Sequence, residues 1–211
     1  MKKVLLFDFD GTIADSFESF LDIADRLSVK YNIQSISRKD IEKLRLEDAR
    51  SLIKKLNVPF YKIPFLASDM KKMQQEHILQ IKPFKDLPKV LQEIKSMGYT
   101  LGILTSNGRE NVELFVKKNN INVFDYIYSN ANIFGKDKAI RKFLKEKGLT
   151  TNQVMYVGDE IRDILACQNV GVKIISVTWG FNSKEGLIKY HPDFLVDHPN
   201  ELVKLLRNQT Q

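Results

Sequence analysis

Short aliphatic and β-branched runs alternate along the chain with longer stretches whose apolar residues recur every three or four positions. The short runs are Lys3 to Asp8, Thr100 to Thr105, Tyr126 to Ser129, Val154 to Gly158, Lys173 to Val177 and Phe194 to Val196. Runs of this length bounded by turn residues read as strands, and their alternation with helical patterns predicts a Rossmann-like parallel sheet flanked by helices, an α/β core. Leu87, Val90, Leu91, Ile94 and Met97 fall at helical spacing, with Gly98 as a stop; Ile140, Phe143 and Leu144 repeat the pattern up to Gly148.

The first two strands are separated by about ninety residues of a different character, far more than one crossover helix needs. Phe17, Phe20, Leu21, Ala24, Leu27 and Tyr31 make one apolar helical face. Ile41, Leu44, Leu52, Ile53 and Leu56 make a second after a Ser37 cap. A third, with Phe65, Leu66, Met70, Met73 and Ile78, is expected to start after Pro64 and stop before Pro83. The expectation is a small all-helical cap domain over residues 15–83, inserted into a discontinuous core of residues 1–14 and 84–211. Both connections would enter the carboxyl end of the sheet, where open α/β sheets bind ligands.

Composition narrows the class without naming the chemistry. Of 211 residues, 43% are hydrophobic and 28% charged, and no run approaches the roughly 18 apolar residues of a membrane span. The opening MKKVLLFDFD has an apolar run from Val4 to Phe7 alone, too short for a signal peptide. A single cysteine, Cys167, forms no internal disulfide, so a reducing, cytoplasmic location is expected. The 33 basic and 26 acidic side chains give a formal charge of +7. The lysines are scattered in pairs such as Lys54-Lys55 and Lys117-Lys118 without interleaved aromatics, so they read as solvated faces and anion steering rather than a nucleic-acid site.

The chemistry concentrates at strand ends. Asp8 and Asp10 flank Phe9 where the first strand stops, so their side chains leave on the same side, and Gly11 permits a sharp turn. Paired acids before glycine are also an ordinary turn. Three further segments supply complementary groups. In LGILTSN, Thr105 and Ser106 offer a hydroxyl and backbone amides for a phosphoryl oxygen, although a helix cap uses the same residues. In FGKDKAI, Lys136 stands ahead of a helix, placed either to neutralise phosphate charge or to lie on a surface. In VMYVGDEIRDI, Asp159 ends an apolar strand, and Glu160 and Asp163 follow in a first helical turn, where acids also favour the dipole.

Taken together, FDFDGTIADS, LTSN, Lys136 and VGDEIRDI occur in the order of the four motifs of the haloacid dehalogenase-like hydrolase superfamily, which this chain resembles across residues 8–163. With its helical insertion just after the first motif it looks like the phosphoglycolate phosphatase-like branch. Asp137 stands where many relatives carry a proline. The resemblance implies a phosphatase acting on a small phosphorylated metabolite. Asp8 would be the nucleophile that becomes an aspartyl phosphate, and Asp10 the acid that protonates the leaving oxygen and then the base toward water. It implies Mg2+ on the carboxylates of Asp8 and Asp159 and the carbonyl of Asp10, because a phosphate dianion among three acids needs a cation. Lys136 would add a second positive charge, with Asp163 orienting it or holding metal-bound water, Glu160 beside it, and Thr105 and Ser106 holding phosphoryl oxygens.

Two alternatives carry their own expectations. A phosphosugar mutase keeps both aspartates and passes the phosphoryl group to a sugar, whereas a dehalogenase lacks the second one. A non-catalytic binding protein on the same fold would have lost a motif residue, and none is lost here. His77, His191 and His198 lie outside the motifs and read as surface or packing residues, Cys167 as a small core residue, and Trp179 as packing or part of the site's rim. Arg45 and Arg50 of the insertion either reach toward the leaving group or face solvent. The substrate and the oligomeric state are not legible.

Overall fold

All four residues of β1 (Val4–Phe7) are buried, as expected for a strand covered on both faces. In the computed structural model, which describes residues 3–48, 51, 54–55, 57–129 and 135–209, this strand lies in the middle of one sheet. The other strands are β2 (Thr100–Leu104), β3 (Tyr126–Tyr128), β4 (Val154–Gly158), β5 (Lys173–Val177) and β6 (Phe194–Val196). Their order is β3-β2-β1-β4-β5-β6, with every neighbouring pair parallel. This is the doubly wound order whose direction of winding reverses beside the first strand, and ligands gather at that switch point.

The period of two along β1 sends its side chains to two different cores. Leu5 and Phe7 join Phe9 in one, packed by α4 (Leu87–Ser96), α5 (Arg109–Lys118) and α9 (Pro199–Asn208). Val4 and Leu6 join the other, under α6 (Lys136–Lys147), α7 (Ile161–Val170) and α8 (Lys184–Ile188). Each fully buried leucine, valine or phenylalanine here contributes about 1.5–3 kcal/mol relative to exposure. Asp8 continues the even-numbered series, so it leaves the strand toward α6 and α7. The ladder extends past the strand end, with the Asp8 amide donating to the Val157 carbonyl at 2.8 Å and the Thr105 amide to Tyr128 at 2.9 Å.

The insertion contains α1 (Phe17–Tyr31), α2 (Ile41–Leu44) and α3 (Ile63–His77) among the described residues. Ser37 caps a 3-10 turn, Arg38–Asp40, that leads into α2. The second helix is interrupted after Leu44, and the described residues 51 and 54–55 are helical again. α2 ends at Leu44, because the core takes the Arg45 carbonyl, which accepts from the Asn182 side chain at 2.8 Å and the Ser183 amide at 2.9 Å. Leu52, Ile53, Leu56 and Arg50 lie outside the described residues. α3 begins at Ile63 rather than after Pro64, since proline is tolerated in a first turn whose amides have no partner. No helix among the described residues is long and apolar enough to cross a membrane.

Candidate active site

Lys136 opens α6 and is 3% exposed, its ammonium 2.5 Å from Asp8 Oδ2 and bonded to Asp163 Oδ1. Burial opposes the charge of this lysine, but Asp163 and Asp8 outweigh it and hold the ammonium above its ordinary value. Asp163 lies inside the first turn of α7, where its Oδ2 also accepts from the Glu160 amide at 3.2 Å. Its own carboxyl is pushed up to about 6, chiefly by burial and against the pull of Lys136. A strand end and two helix starts thus build one buried triad from residues far apart in sequence.

Asp10 has a different setting. Its Oδ2 accepts from the Asn107 side-chain amide at 3.0 Å, and burial, helped by Asp8, raises it to about 6 although Asn107 and Ser16 pull the other way. Asn107 is aimed by its neighbours: its backbone amide donates to Thr105 Oγ1 at 3.0 Å, and its Oδ1 accepts from the Gly108 amide and the Asn111 side chain. Thr105 is therefore buried beneath the loop after β2, with Ser106 half-buried beside it.

Asp159 follows β4 and is fully buried. Thr12 donates its hydroxyl to Oδ1 at 2.6 Å, and the Phe181 amide donates to Oδ2 at 2.7 Å. Gly11 has φ +75°, and a Cβ there would collide with the Asp159 carboxylate, so the FDFDGT turn requires glycine for conformation and for close approach. Burial and the neighbouring acids Glu160, Asp8 and Asp163 raise the Asp159 carboxyl well above its ordinary value. Carboxylate oxygens of Asp8, Asp159 and Asp163 lie within 4.8 Å of one another. A buried, all-oxygen acidic set of this kind suits a hard divalent cation. Glu160 caps α7 and pairs with Arg162 at 2.5 Å.

Above these residues a cavity of about 280 Å³ reaches from Asp10, Ser106, Glu160 and Arg162 into the insertion, between α1 and α3. Arg45 does neither of the things its position suggested. Its guanidinium donates to the carbonyls of Phe181 and Gly180, each at 2.9 Å, and lies 5.3 Å from the Phe17 ring centre, so it ties the insertion to the core. Trp179 packs on Phe84 and donates its indole N–H to the Thr12 carbonyl at 3.1 Å. Cys167 is fully buried, and burial pushes its thiol well above the usual range. Thr12, Asn107, Arg162 and Asn182 were not singled out by sequence. Thr12, Asn107 and Arg162 lie inside the quoted motif segments, which is the one signal that pointed at them.

This layout, acids after β1 and β4 with a lysine at the head of α6, defines a hydrolase-type site at a doubly wound switch point. Residues 5–177 match the family model of haloacid dehalogenase-like hydrolases, and the chain belongs to that family. It is 29% identical over 203 residues to a phosphoglycolate phosphatase of Synechococcus elongatus, covering 96% of each chain. It is 24% identical to the pyrophosphatase PpaX of Bacillus cereus, covering 99% of this chain and 98% of that one. A haloacid dehalogenase-like hydrolase from Streptococcus pneumoniae shares the fold with a TM-score of 0.81 at 22% identity, covering 97% of this chain and 98% of that one. Within the family the resemblance is to the phosphoglycolate phosphatase-like branch.

Proposed function

We propose that this chain is a magnesium-dependent phosphatase that hydrolyses a small phosphate monoester through an aspartyl phosphate on Asp8. The observation that carries the reading is the unequal treatment of the two acids of FDFDGT. Asp8 is paired with the Lys136 ammonium, whereas Asp10 accepts from neutral Asn107 and is raised to about 6. Two carboxyls in such different surroundings take nucleophile and proton-carrier roles.

In the first step an Asp8 oxygen attacks phosphorus as the ester P–O bond breaks, and Asp10 gives its proton to the departing oxygen. In the second, Asp10 takes a proton from the water that attacks the same phosphorus, and Asp8 is released. Acid-base help of this kind contributes about 10² to 10⁴ in rate. Thr105 and Ser106 hold phosphoryl oxygens, Lys136 offsets charge on Asp8 and the phosphate, and Asp163 keeps the lysine in place. Magnesium fits the carboxylates of Asp8 and Asp159 and the Asp10 carbonyl, and when bound it neutralises phosphate against this acidic set.

Residues 15–83 form the cap and 1–14 with 84–211 the core in this reading. The two crossings run side by side, with the Asp15 amide donating to the Lys82 carbonyl at 2.9 Å and a bridge between Ala14 and Pro83. Water as acceptor, rather than a sugar as in a mutase, agrees with a cavity walled largely by carbon. The buried free cysteine agrees with a cytoplasmic setting. The test is hydrolysis of p-nitrophenyl phosphate with and without magnesium. Magnesium-dependent turnover that disappears in a folded Asp8→Asn variant is expected; equal rates in the two proteins would refute the assignment.

A further inference from the structure

The cavity over the site is walled mainly by carbon on the side of the insertion. Its walls come from Phe17, Phe20 and Leu27 of α1 and from Ile63, Leu66 and Met70 of α3. A helix of an insertion ordinarily covers its apolar stripe against its neighbours. α3 does not: none of its described residues is fully buried, and Ile63, Leu66 and Met70 are half-buried because they face the cavity. The C-terminal end of α1 is pinned to the N-terminal half of α3 by polar contacts. Asp69 accepts from Lys30 at 2.5 Å and from the Tyr31 hydroxyl at 2.6 Å, and Lys62 donates to the Tyr31 carbonyl at 2.6 Å. The helices are thus braced around the space at one end, and the other end opens on Asp10 and Ser106.

The polar groups on the insertion side of the wall are Ser16, Gln34, Lys71 and Gln74, against eleven apolar residues, and of the two cations in the lining, Lys71 and Arg162, the second is paired with Glu160. A sugar body would bring a hydroxyl on nearly every carbon, and the carboxylate of phosphoglycolate or the second phosphate of pyrophosphate would bring a charge. Polar groups that exchange water for hydrocarbon without matching partners are penalised. A hydrocarbon body gains from the same wall, because it covers apolar surface that the described residues leave uncovered. An apolar cavity of about 150 Å³ admits a benzene ring, so this larger space suits a body of roughly ten carbons.

Resting on the hydrolase reading above, we propose that the substrate is a phosphate monoester of an apolar alcohol, its phosphoryl group at Asp8 and its hydrocarbon body between α1 and α3. A series of n-alkyl phosphates from ethyl to octyl tests this, because the leaving alcohols have nearly equal acidity and differ in apolar area alone. Each methylene is expected to raise kcat/KM about 4-fold, so hexyl phosphate should exceed ethyl phosphate by about 250-fold and should also exceed phosphoglycolate and pyrophosphate. Ala67→Trp, which fills the cavity from α3, should bring the hexyl-to-ethyl ratio close to one. Magnesium-dependent turnover with a flat series, or with phosphoglycolate or pyrophosphate preferred, overturns the proposal and leaves the hydrolase reading standing. Hydrolysis of none of these esters, nor of p-nitrophenyl phosphate, overturns both.

Discussion

Methionine in place of Lys136 keeps an unbranched side chain one atom shorter and removes its charge, so Asp8 and Asp163 lose the ammonium between them. Both contacts are buried, with 3% of the lysine and Asp8 side chains exposed and none of Asp163. Opposite unit charges about 2.5 Å apart attract by roughly 7 kcal/mol at an effective dielectric of 20. The cost of burying the ions, several kcal/mol each, offsets much of that, and removal of one partner leaves the other buried without compensation. The net penalty expected is about 3–5 kcal/mol. For a chain of this length that lowers Tm by about 6–20 °C.

The pH dependence is the sharper check. Asp163 is already raised to about 6, by burial first and against Lys136, so loss of the lysine raises it further. A carboxyl with a raised folded-state pKa keeps a proton that the unfolded chain releases. Its contribution to stability therefore falls as pH rises from the unfolded value toward the folded one. The Lys136→Met penalty should be large at pH 8 and clearly smaller at pH 5, where the folded variant holds the proton. Urea unfolding of both proteins without divalent metal at the two pH values measures it. A penalty under about 1 kcal/mol at pH 8, or one equal at both pH values, would show that Lys136 is not the buried counter-charge for these acids.

Three other expectations follow from the same site. Asp10 is raised from 3.8 to about 6 by burial, so its ionisation costs the native state about 3 kcal/mol by pH 7. Asp10→Asn can still accept from Asn107, so it should raise the metal-free Tm at pH 7 but not at pH 4 while lowering kcat about 10²- to 10⁴-fold; thermal melts and kinetics read both. Magnesium at about 100 times its Kd should stabilise by about 2.7 kcal/mol, and Asp159→Asn should abolish that shift in a thermal titration. Asn182 is 1% exposed and bonds the Ile161 amide and the carbonyls of Arg45 and Glu47. Asn182→Ala should cost about 1–3 kcal/mol and speed amide exchange across residues 41–47, and unchanged exchange there would mean that it does not hold the insertion.

The strands were legible to within a residue because each is a short apolar run, the four inner ones covered on both faces, and β4, β5 and β6 coincide with the predicted ranges. The acids were legible for a related reason: Asp8 and Asp159 interrupt such runs at their ends, where a charge cannot belong to the core. What could not be read was the set of neutral partners. Thr12, Asn107 and Asn182 act through hydrogen bonds to residues 147, 97 and 137 positions away, and no local period marks them. The break after Leu44 in the second insertion helix was not legible, because apolar spacing records which residues avoid water. It does not record that the Arg45 carbonyl bonds Asn182 and Ser183 instead of a following turn.

One short loop connects the apolar wall to the acidic site. The Phe181 amide holds Asp159 Oδ2, the carbonyls of Gly180 and Phe181 hold Arg45 of the insertion, and the Phe181 ring packs edge-to-face on Phe17 and Phe20 at 5.5 and 5.4 Å. A side chain at residue 180 would strike Asp159 and the Gly11 carbonyl, so the loop has little room to shift independently of the acid it positions. A hydrocarbon body seated against Phe17 and Phe20 therefore favours the same loop position that orients Asp159. Binding contacts remote from phosphorus raise kcat when they favour the arrangement the reaction needs, and lower KM alone when they do not. Shortening the alkyl chain should accordingly reduce kcat as well as raise KM. A series in which KM alone changes would mean that the wall and the acid are not coupled through residues 180–181.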